Sequence, residues 1–175
     1  AIVTIFINIA NVFVTSGLGT SLVQKKDADE LDFSTMFWTS LVMSIILYMI
    51  LFYFSPVIAK IYNNELLTIV LRIMGLRLIV AAINSIQQAY VARKMIFKKF
   101  FFSTLIGTII SAIVGIVMAF WGFGVWALVV QYLTNSVIDT IVLHFTIHWK
   151  PKLQFSYERF KRLFSFGWKI MVSSL

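Results

Sequence analysis

The sequence predicts an all-α integral membrane protein, a polytopic helix bundle, from its apolar content, its long apolar runs and the spacing of its charges. Of the 175 residues, 60% are hydrophobic and only 13% are charged. Soluble domains contain about 45–50% apolar and about 25% charged residues, so this excess indicates a lipid environment. The positive charges, which give a net charge of +8, fall in short segments between the apolar runs.

Five apolar runs are long enough to cross a membrane, because about 20 helical residues span a hydrocarbon core of about 30 Å. Open β-strands are excluded, because lipid cannot satisfy the free edge of a sheet. The sequence begins with Ala1 and ends inside an apolar run, so we expect a fragment of a longer protein. The predicted spans make up residues 1–147 and lie at about 1–23, 35–61, 66–92, 101–121 and 125–147, and a further, truncated span occupies 165–175.

Basic residues alternate with the predicted spans in a way that orients the chain. Twelve of the 15 Lys and Arg residues lie in three segments that fall on the same side of the membrane if the spans alternate. The positive-inside rule predicts that this side is cytoplasmic. Because the basic loops alternate so regularly with spans, we expect no nucleic-acid partner. The segments contain Lys25 and Lys26; Arg93, Lys94, Lys98 and Lys99; and Lys150, Lys152, Arg159, Lys161, Arg162 and Lys169.

Residues 148–164 differ in character from the rest of the chain. Pro151 ends the preceding helix. Beyond it, Phe160, Leu163 and Phe164 recur at helical spacing, and the charged residues lie off that face. This pattern predicts a cytoplasmic linker with an amphipathic helix at the membrane surface, whose partners are anionic membrane lipids.

Polar side chains form a stripe on each of three predicted spans. In the third span, Arg77, Asn84 and Gln88 follow an i, i+7, i+11 spacing, which places them on one helical face. Lipid would penalise a central Arg or Asp by about 2.5–3.5 kcal/mol, so we expect the three faces to meet around a hydrated cavity. The first span carries Thr4, Asn8, Asn11 and Thr15, and the fifth carries Gln131, Asn135 and Asp139.

These residues leave alternatives open. For the Asn and Gln residues, hydrogen bonding between helices without a substrate path is the stronger interpretation. A functional role is favoured for Arg77 and Asp139, because intramembrane charges usually mark transport paths. Asp139 would couple transport to a cation or form an ion pair with Arg77, whereas Arg72 is expected to snorkel. The fourth span has small residues at four-residue spacing, which predicts close helix packing: Gly107, Ser111 and Gly115.

No catalytic, metal or cofactor site is expected. The sequence contains no cysteine and no Ser/His/Asp or paired-carboxylate constellation. His144 and His148 lie four residues apart, but no third ligand is near them in the sequence. We therefore expect a protein that is not an enzyme.

Several segments resemble the bacterial polysaccharide transporter family, to which the O-antigen flippases belong. The matches occur in the order found in that family and cover nearly the whole chain. They are FVTSGLGTSLVQKK at 13–26, GFGVWALVVQ at 122–131, WKPKL at 149–153 followed by FSFGWK at 164–169, and Arg93, Phe97 and Lys98 within 88–99.

The resemblance implies a fragment of a MATE-like transporter, in which two helix bundles face each other across a central cavity. It also implies a substrate, an undecaprenyl-pyrophosphate-linked oligosaccharide that is moved across the bacterial inner membrane for lipopolysaccharide, capsule or exopolysaccharide biosynthesis. A polysaccharide polymerase and glycosyltransferases would be its partners. Two alternatives stay open: a cation-coupled multidrug exporter of the same fold, which requires carboxylates in the cavity, and a non-transporting scaffold, which does not require aligned polar stripes.

Overall fold

The chain folds into a bundle of α-helices. The structure, a computed structural model, describes residues 2–15, 18–25, 27–147 and 149–173, with their side chains except at 2–4, 6, 13, 14 and 170–173. These residues form no β-strand, and four of their helices are long and apolar enough to cross a membrane. The predicted fold class, an all-α polytopic membrane fragment, is confirmed. The helices are α1 Ile2–Thr15, α2 Leu18–Gln24, α3 Glu30–Ile61, α4 Leu66–Lys94, α5 Phe97–Phe120, α6 Val125–Thr146 and α7 Tyr157–Ser173.

The helix bounds differ from the predicted spans near the beginning of the chain. The predicted span at 1–23 corresponds to α1 and α2, and residues 16 and 17 between them lie outside the described residues. Helix α3 begins at Glu30 rather than at 35 because Asp29 caps it. The Asp29 carboxylate accepts a hydrogen bond from the Asp32 backbone N–H at 3.0 Å, and the Asp32 carboxylate accepts one from the Asp29 N–H at 3.2 Å. A search for apolar runs misses this polar first turn.

Helix α4 lies in the middle of the bundle and contacts α1, α2, α3, α5 and α6. Its approach to α3 is close at Gly75, where a Cβ atom would lie 2.9 Å from Tyr48 Cδ2. Helices α5 and α6 approach closely along the small-residue stripe, where a Cβ atom on Gly107 would lie 3.3 Å from the Asn135 backbone oxygen. The predicted packing role of this stripe is confirmed, because Gly107, Ser111 and Gly115 are all buried on α5, together with Ser103 one turn earlier.

Large apolar side chains cover the outside of the bundle. On α3 they include Val42, Ile46 and Tyr53, and on α5 they include Ile109 and Ile113. Each of these side chains is more than half exposed. In water such a surface would be unstable, but in a bilayer it is the surface that lipid tails contact. The bundle therefore has an apolar outer surface, and many of its polar side chains lie between the helices.

The three basic segments meet at one end of the bundle. Arg93, at the end of α4, donates hydrogen bonds to the backbone oxygens of Lys25 and of Leu22, the latter at 3.3 Å. Lys99, at the start of α5, donates to the backbone oxygen of Thr146 at 2.7 Å. We call this end of the bundle the basic end.

The segment between α6 and α7 lies against the first turns of α3. The Trp38 indole N–H donates to the Lys152 backbone oxygen at 2.9 Å. The Lys152 backbone N–H donates to Ser34 Oγ at 3.2 Å, and that of Ser156 donates to Thr35 Oγ1 at 3.3 Å. Residues 149–156, within the predicted linker, therefore form a strap across α3.

Helix α7 continues from this strap and packs on α2 and α3. Leu163 on its apolar face is buried in a core cluster that includes Leu22 and Trp149. Helix α7 passes without a break through positions 164 and 165, where the sequence predicted the change from linker to the next span. Leu163 is buried, whereas Phe166 and Trp168 beyond it are exposed.

Candidate substrate cavity

A cavity of about 580 Å³ lies between α1, α2, α4, α5 and α6. Small side chains on α4, Ala81, Ala89 and Ala92, leave much of this space open. Phe97 and Phe100 of α5 line it towards the basic end. The cavity lining includes seven of the ten residues of the polar stripes: Asn11, Thr15, Arg77, Asn84, Gln88, Asn135 and Asp139. The side chain of Thr4 lies outside the described part of the structure.

Arg77 is the cation of this lining. Its Nε donates a hydrogen bond to Ser136 Oγ at 3.0 Å, and its guanidinium carbon lies 5.5 Å from the centre of the Tyr132 ring. Tyr132 and Ser136 are four residues apart on α6, so they lie on one face. Within the described part of the chain, the two terminal nitrogens of Arg77 have no hydrogen-bond partner.

Asp139 forms the centre of a hydrogen-bond network that joins three helices. Its side chain is buried, and its Oδ2 accepts a hydrogen bond from Asn84 Nδ2 of α4 at 2.8 Å. Its Oδ1 accepts hydrogen bonds from the hydroxyls of Ser103 and, at 3.4 Å, Thr104 of α5. Gln88 extends the network by donating to Asn84 Oδ1 at 3.1 Å.

The ion pair considered from the sequence between Arg77 and Asp139 is not formed in the described structure. The carboxylate is occupied by neutral donors, and Arg77 reaches Ser136, nearly one helical turn before Asp139. Ion pairs among the described residues lie at the basic end and join Lys25 to Asp32, Lys152 to Glu30, and Arg159 to both Asp29 and Asp32.

Two of the predicted site residues do not line the cavity. Asn8 is on α1 and is exposed. Gln131 packs over Gly115 of α5, where an added Cβ atom would lie 2.9 Å from Gln131 Cδ. Asn135 serves both surfaces, since it lines the cavity and donates to Ser111 Oγ at 3.3 Å. For Gln131, helix packing is therefore the better interpretation, because the small residues of α5 make room for its side chain.

Arg72 also behaves differently from the expectation that it snorkels. Its guanidinium carbon lies 4.1 Å from the centre of the Phe52 ring on α3, and its Nε donates to Ser55 Oγ at 3.1 Å. A neighbouring helix that offers an aromatic face and a hydroxyl acceptor satisfies the charge locally. Arg72 is a packing residue between α3 and α4 and lies outside the cavity lining.

The stripes did not reveal several hydroxyl groups of the lining. Ser85 and Ser136 directly follow the stripe residues Asn84 and Asn135, about 100° further around their helices. A search for residues on one narrow helical face leaves out the residue next to each stripe residue. A cavity wall between two helices is wider than one row of side chains, so it includes those residues. A hydroxyl residue directly after a stripe amide is the sequence signal that indicates both Ser85 and Ser136.

Comparison with known proteins identifies curated relatives of this chain. The curated relatives include the teichuronic acid biosynthesis protein TuaB of Bacillus subtilis, 27% identical over 90% of this chain and 33% of the relative. They also include the succinoglycan biosynthesis transport protein ExoT of Rhizobium meliloti, 24% identical over 91% of this chain and 32% of the relative. The lipopolysaccharide biosynthesis protein WzxC of Escherichia coli is 23% identical over 87% and 31%, respectively.

The chain spans about a third of the length of these relatives. No solved structure matches it. A family model described as polysaccharide biosynthesis protein matches the whole chain, residues 1–175. The resemblance identified from the sequence is confirmed, and the chain belongs to this family of polysaccharide biosynthesis proteins.

Proposed function

We propose that the protein containing this chain is a flippase that moves an undecaprenyl-pyrophosphate-linked oligosaccharide from the inner to the outer leaflet of the bacterial inner membrane. The observation that carries this proposal is Arg77, a cation in a cavity wall whose other polar side chains are amides, hydroxyls and the hydrogen-bonded Asp139 carboxylate. Its terminal nitrogens have no partner among the described residues. The transport role named for the relative ExoT supports the same conclusion.

The chemistry of the lining suits a pyrophosphate sugar. Guanidinium offers paired donors that match phosphate oxygens, and such charge-assisted bonds are stronger in a medium of low dielectric constant. The amides of Asn11, Asn84 and Gln88 can exchange hydrogen bonds with sugar hydroxyls. The cavity volume of about 580 Å³ falls within the range of about 300–1,000 Å³ typical of small-molecule sites. The polyprenyl chain would remain in lipid.

The same proposal predicts what lies around the bundle in the membrane. The basic end would face the cytoplasm, where the linker contacts anionic lipids. A second bundle would close the cavity on its open side, as in a MATE-like transporter. A polysaccharide polymerase and glycosyltransferases would use or supply the carried lipid.

A cation-coupled multidrug exporter is the weaker alternative. It would need a carboxylate that can bind a cationic drug or ion, and Asp139 is the acid of the described cavity lining. Both of its oxygens already accept hydrogen bonds from neutral donors. A scaffold without transport would have no use for an accessible polar cavity.

The proposal is tested by complementation of a flippase-null strain with the full-length protein. At matched protein level, Arg77→Ala should lose most of the surface glycan and Arg77→Lys should keep part of it. Arg72→Ala is the matched control, because it removes an arginine from the same helix outside the cavity. Wild-type surface glycan from Arg77→Ala would contradict the proposal.

A further inference from the structure

We infer that Ser136 and Tyr132 are positioning residues that hold Arg77 so that its terminal edge is presented to a phosphate group. The inference rests on the proposed function and specifies how the head group binds. It names two residues of α6 that do not themselves carry the charge.

The hydrogen bond to Ser136 decides which edge of the guanidinium is available. Guanidinium has five N–H donors, one on Nε and four on the terminal nitrogens. Ser136 Oγ takes the Nε donor at 3.0 Å, so the side edge of the group is occupied. The terminal edge keeps two parallel N–H groups, which is the arrangement that binds two oxygens of one phosphate.

Tyr132 fixes the guanidinium from a second direction. Its ring centre lies 5.5 Å from the guanidinium carbon, within the range of about 6 Å over which a cation is attracted to an aromatic ring. One contact at Nε would still allow the long side chain to swing about that bond. Two contacts from the same face of α6 restrict this motion, which lowers the entropy lost when a ligand binds.

Arg72 provides an internal comparison. It also has a serine on its Nε, Ser55, and a ring under its guanidinium, Phe52. Ser55 is fully buried and neither partner lines the cavity, whereas Ser136 does. The same pair of contacts therefore serves packing at Arg72 and presents a charge to the cavity at Arg77.

The test measures binding of undecaprenyl pyrophosphate, with undecaprenol as the probe lacking phosphate, to the purified full-length protein in nanodiscs. Ser136→Ala and Tyr132→Ala should each weaken binding of the pyrophosphate about 3- to 10-fold, the effect of losing one typical hydrogen bond or one cation–aromatic contact. Ser136→Thr should keep the wild-type affinity for the pyrophosphate because it retains the hydroxyl acceptor. Tyr132→Phe should keep it because it retains the aromatic ring. Undecaprenol binding should not change.

Salt dependence separates positioning from charge. Ser136→Ala and Tyr132→Ala keep the cation, so affinity should still fall with added salt, whereas Arg77→Ala should lose most of that dependence. The matched control is Ser55→Ala, which removes the equivalent bond at Arg72 and should bind as the wild type does.

The outcomes distinguish this inference from the function on which it rests. If Arg77→Ala binds weakly while Ser136→Ala and Tyr132→Ala bind as the wild type does, the positioning role is wrong and the proposed function stands. If Arg77→Ala itself binds normally, the proposed function fails as well. Equal losses from Ser55→Ala and Ser136→Ala would also overturn the inference, because they would indicate general loss of packing.

Discussion

Asn84 of α4 donates its amide N–H to Asp139 Oδ2 of α6 at 2.8 Å, and this bond joins two polar stripes that are 55 residues apart in the chain. It explains how a carboxylate is kept at membrane depth without a cationic partner. Ser103 supplies a further donor from α5. The carboxylate oxygens therefore accept hydrogen bonds from two neighbouring helices, and Arg77 bonds to Ser136 instead.

The first prediction concerns this network. Removing Asp139 leaves the donors of Asn84 and Ser103 unsatisfied, at a cost of about 1–3 kcal/mol each when buried. Asp139→Ala should therefore lower the melting temperature and the folded yield in detergent. The double variant Asn84→Ala/Asp139→Ala should lose less stability than the sum of the two single variants, with a coupling of about 0.5–3 kcal/mol. Strictly additive losses would mean that the two side chains do not interact.

The second prediction concerns the contact between α5 and α6. A Cβ atom on Gly107 would lie 3.3 Å from the backbone oxygen of Asn135 and 3.3 Å from Asp139 Cβ. Gly107→Val adds still more bulk between two backbones and should lower the folded yield strongly, as overpacking by about 1–3 kcal/mol does. Thr108→Val is the control, because the next residue on α5 is exposed on the lipid side. Equal yields from the two variants would argue against close packing here.

These contacts indicate what the sequence could and could not predict. The stripe of Arg77, Asn84 and Gln88 was predictable, because helical periodicity alone places those residues on one face. The orientation of Gln131 towards Gly115 was not, because it depends on which neighbour has room for the side chain. Packing also decides which neighbouring side chain a charged residue between helices contacts. The sequence therefore indicated that Arg77 and Asp139 were important, but not that Arg77 bonds to Ser136 or that Asp139 bonds to Asn84.

The third prediction concerns the strap and α7. The Arg159 guanidinium, hydrogen-bonded to the Asp29 carboxylate, holds the pKa of Asp29 well below its ordinary value of 3.8. Because folding lowers this pKa, the contact contributes its full stabilisation at pH values above 3.8. That stabilisation is lost as the pH falls below 3.8 towards the lower pKa of the folded state. A spin label at Lys161→Cys should therefore keep the same mobility between pH 5 and pH 8, a window set by that shift.

Arg159→Ala should raise the mobility of that label at neutral pH, since it removes the ion pairs to Asp29 and Asp32. Arg162→Ala is the control, because it removes an exposed arginine from the same helix with no ion pair among those described. Equal mobility in the two variants would show that Arg159 does not fasten α7. A steep rise in mobility of the wild type between pH 8 and pH 5 would exclude Asp29 as the titrating partner.

The fourth prediction concerns orientation. The chain has no native cysteine, so single cysteines report position without background from this segment. In intact cells, an impermeant maleimide should label Asn64→Cys and Phe123→Cys, which lie in the exposed turns opposite the basic end. Lys98→Cys and Lys150→Cys should be labelled only after permeabilisation. The reverse pattern would place the basic end outside the cytoplasm.

The central claim is that Arg77 binds the pyrophosphate during translocation. The most direct measurement is the rate at which the purified full-length protein moves an undecaprenyl-pyrophosphate-linked oligosaccharide across proteoliposome membranes. Loss of a charge-assisted bidentate contact of about 1.5–3 kcal/mol predicts that Arg77→Ala slows this rate about 10- to 100-fold. Arg72→Ala, reconstituted at the same density, should transport at the wild-type rate. Wild-type transport by Arg77→Ala would contradict the account.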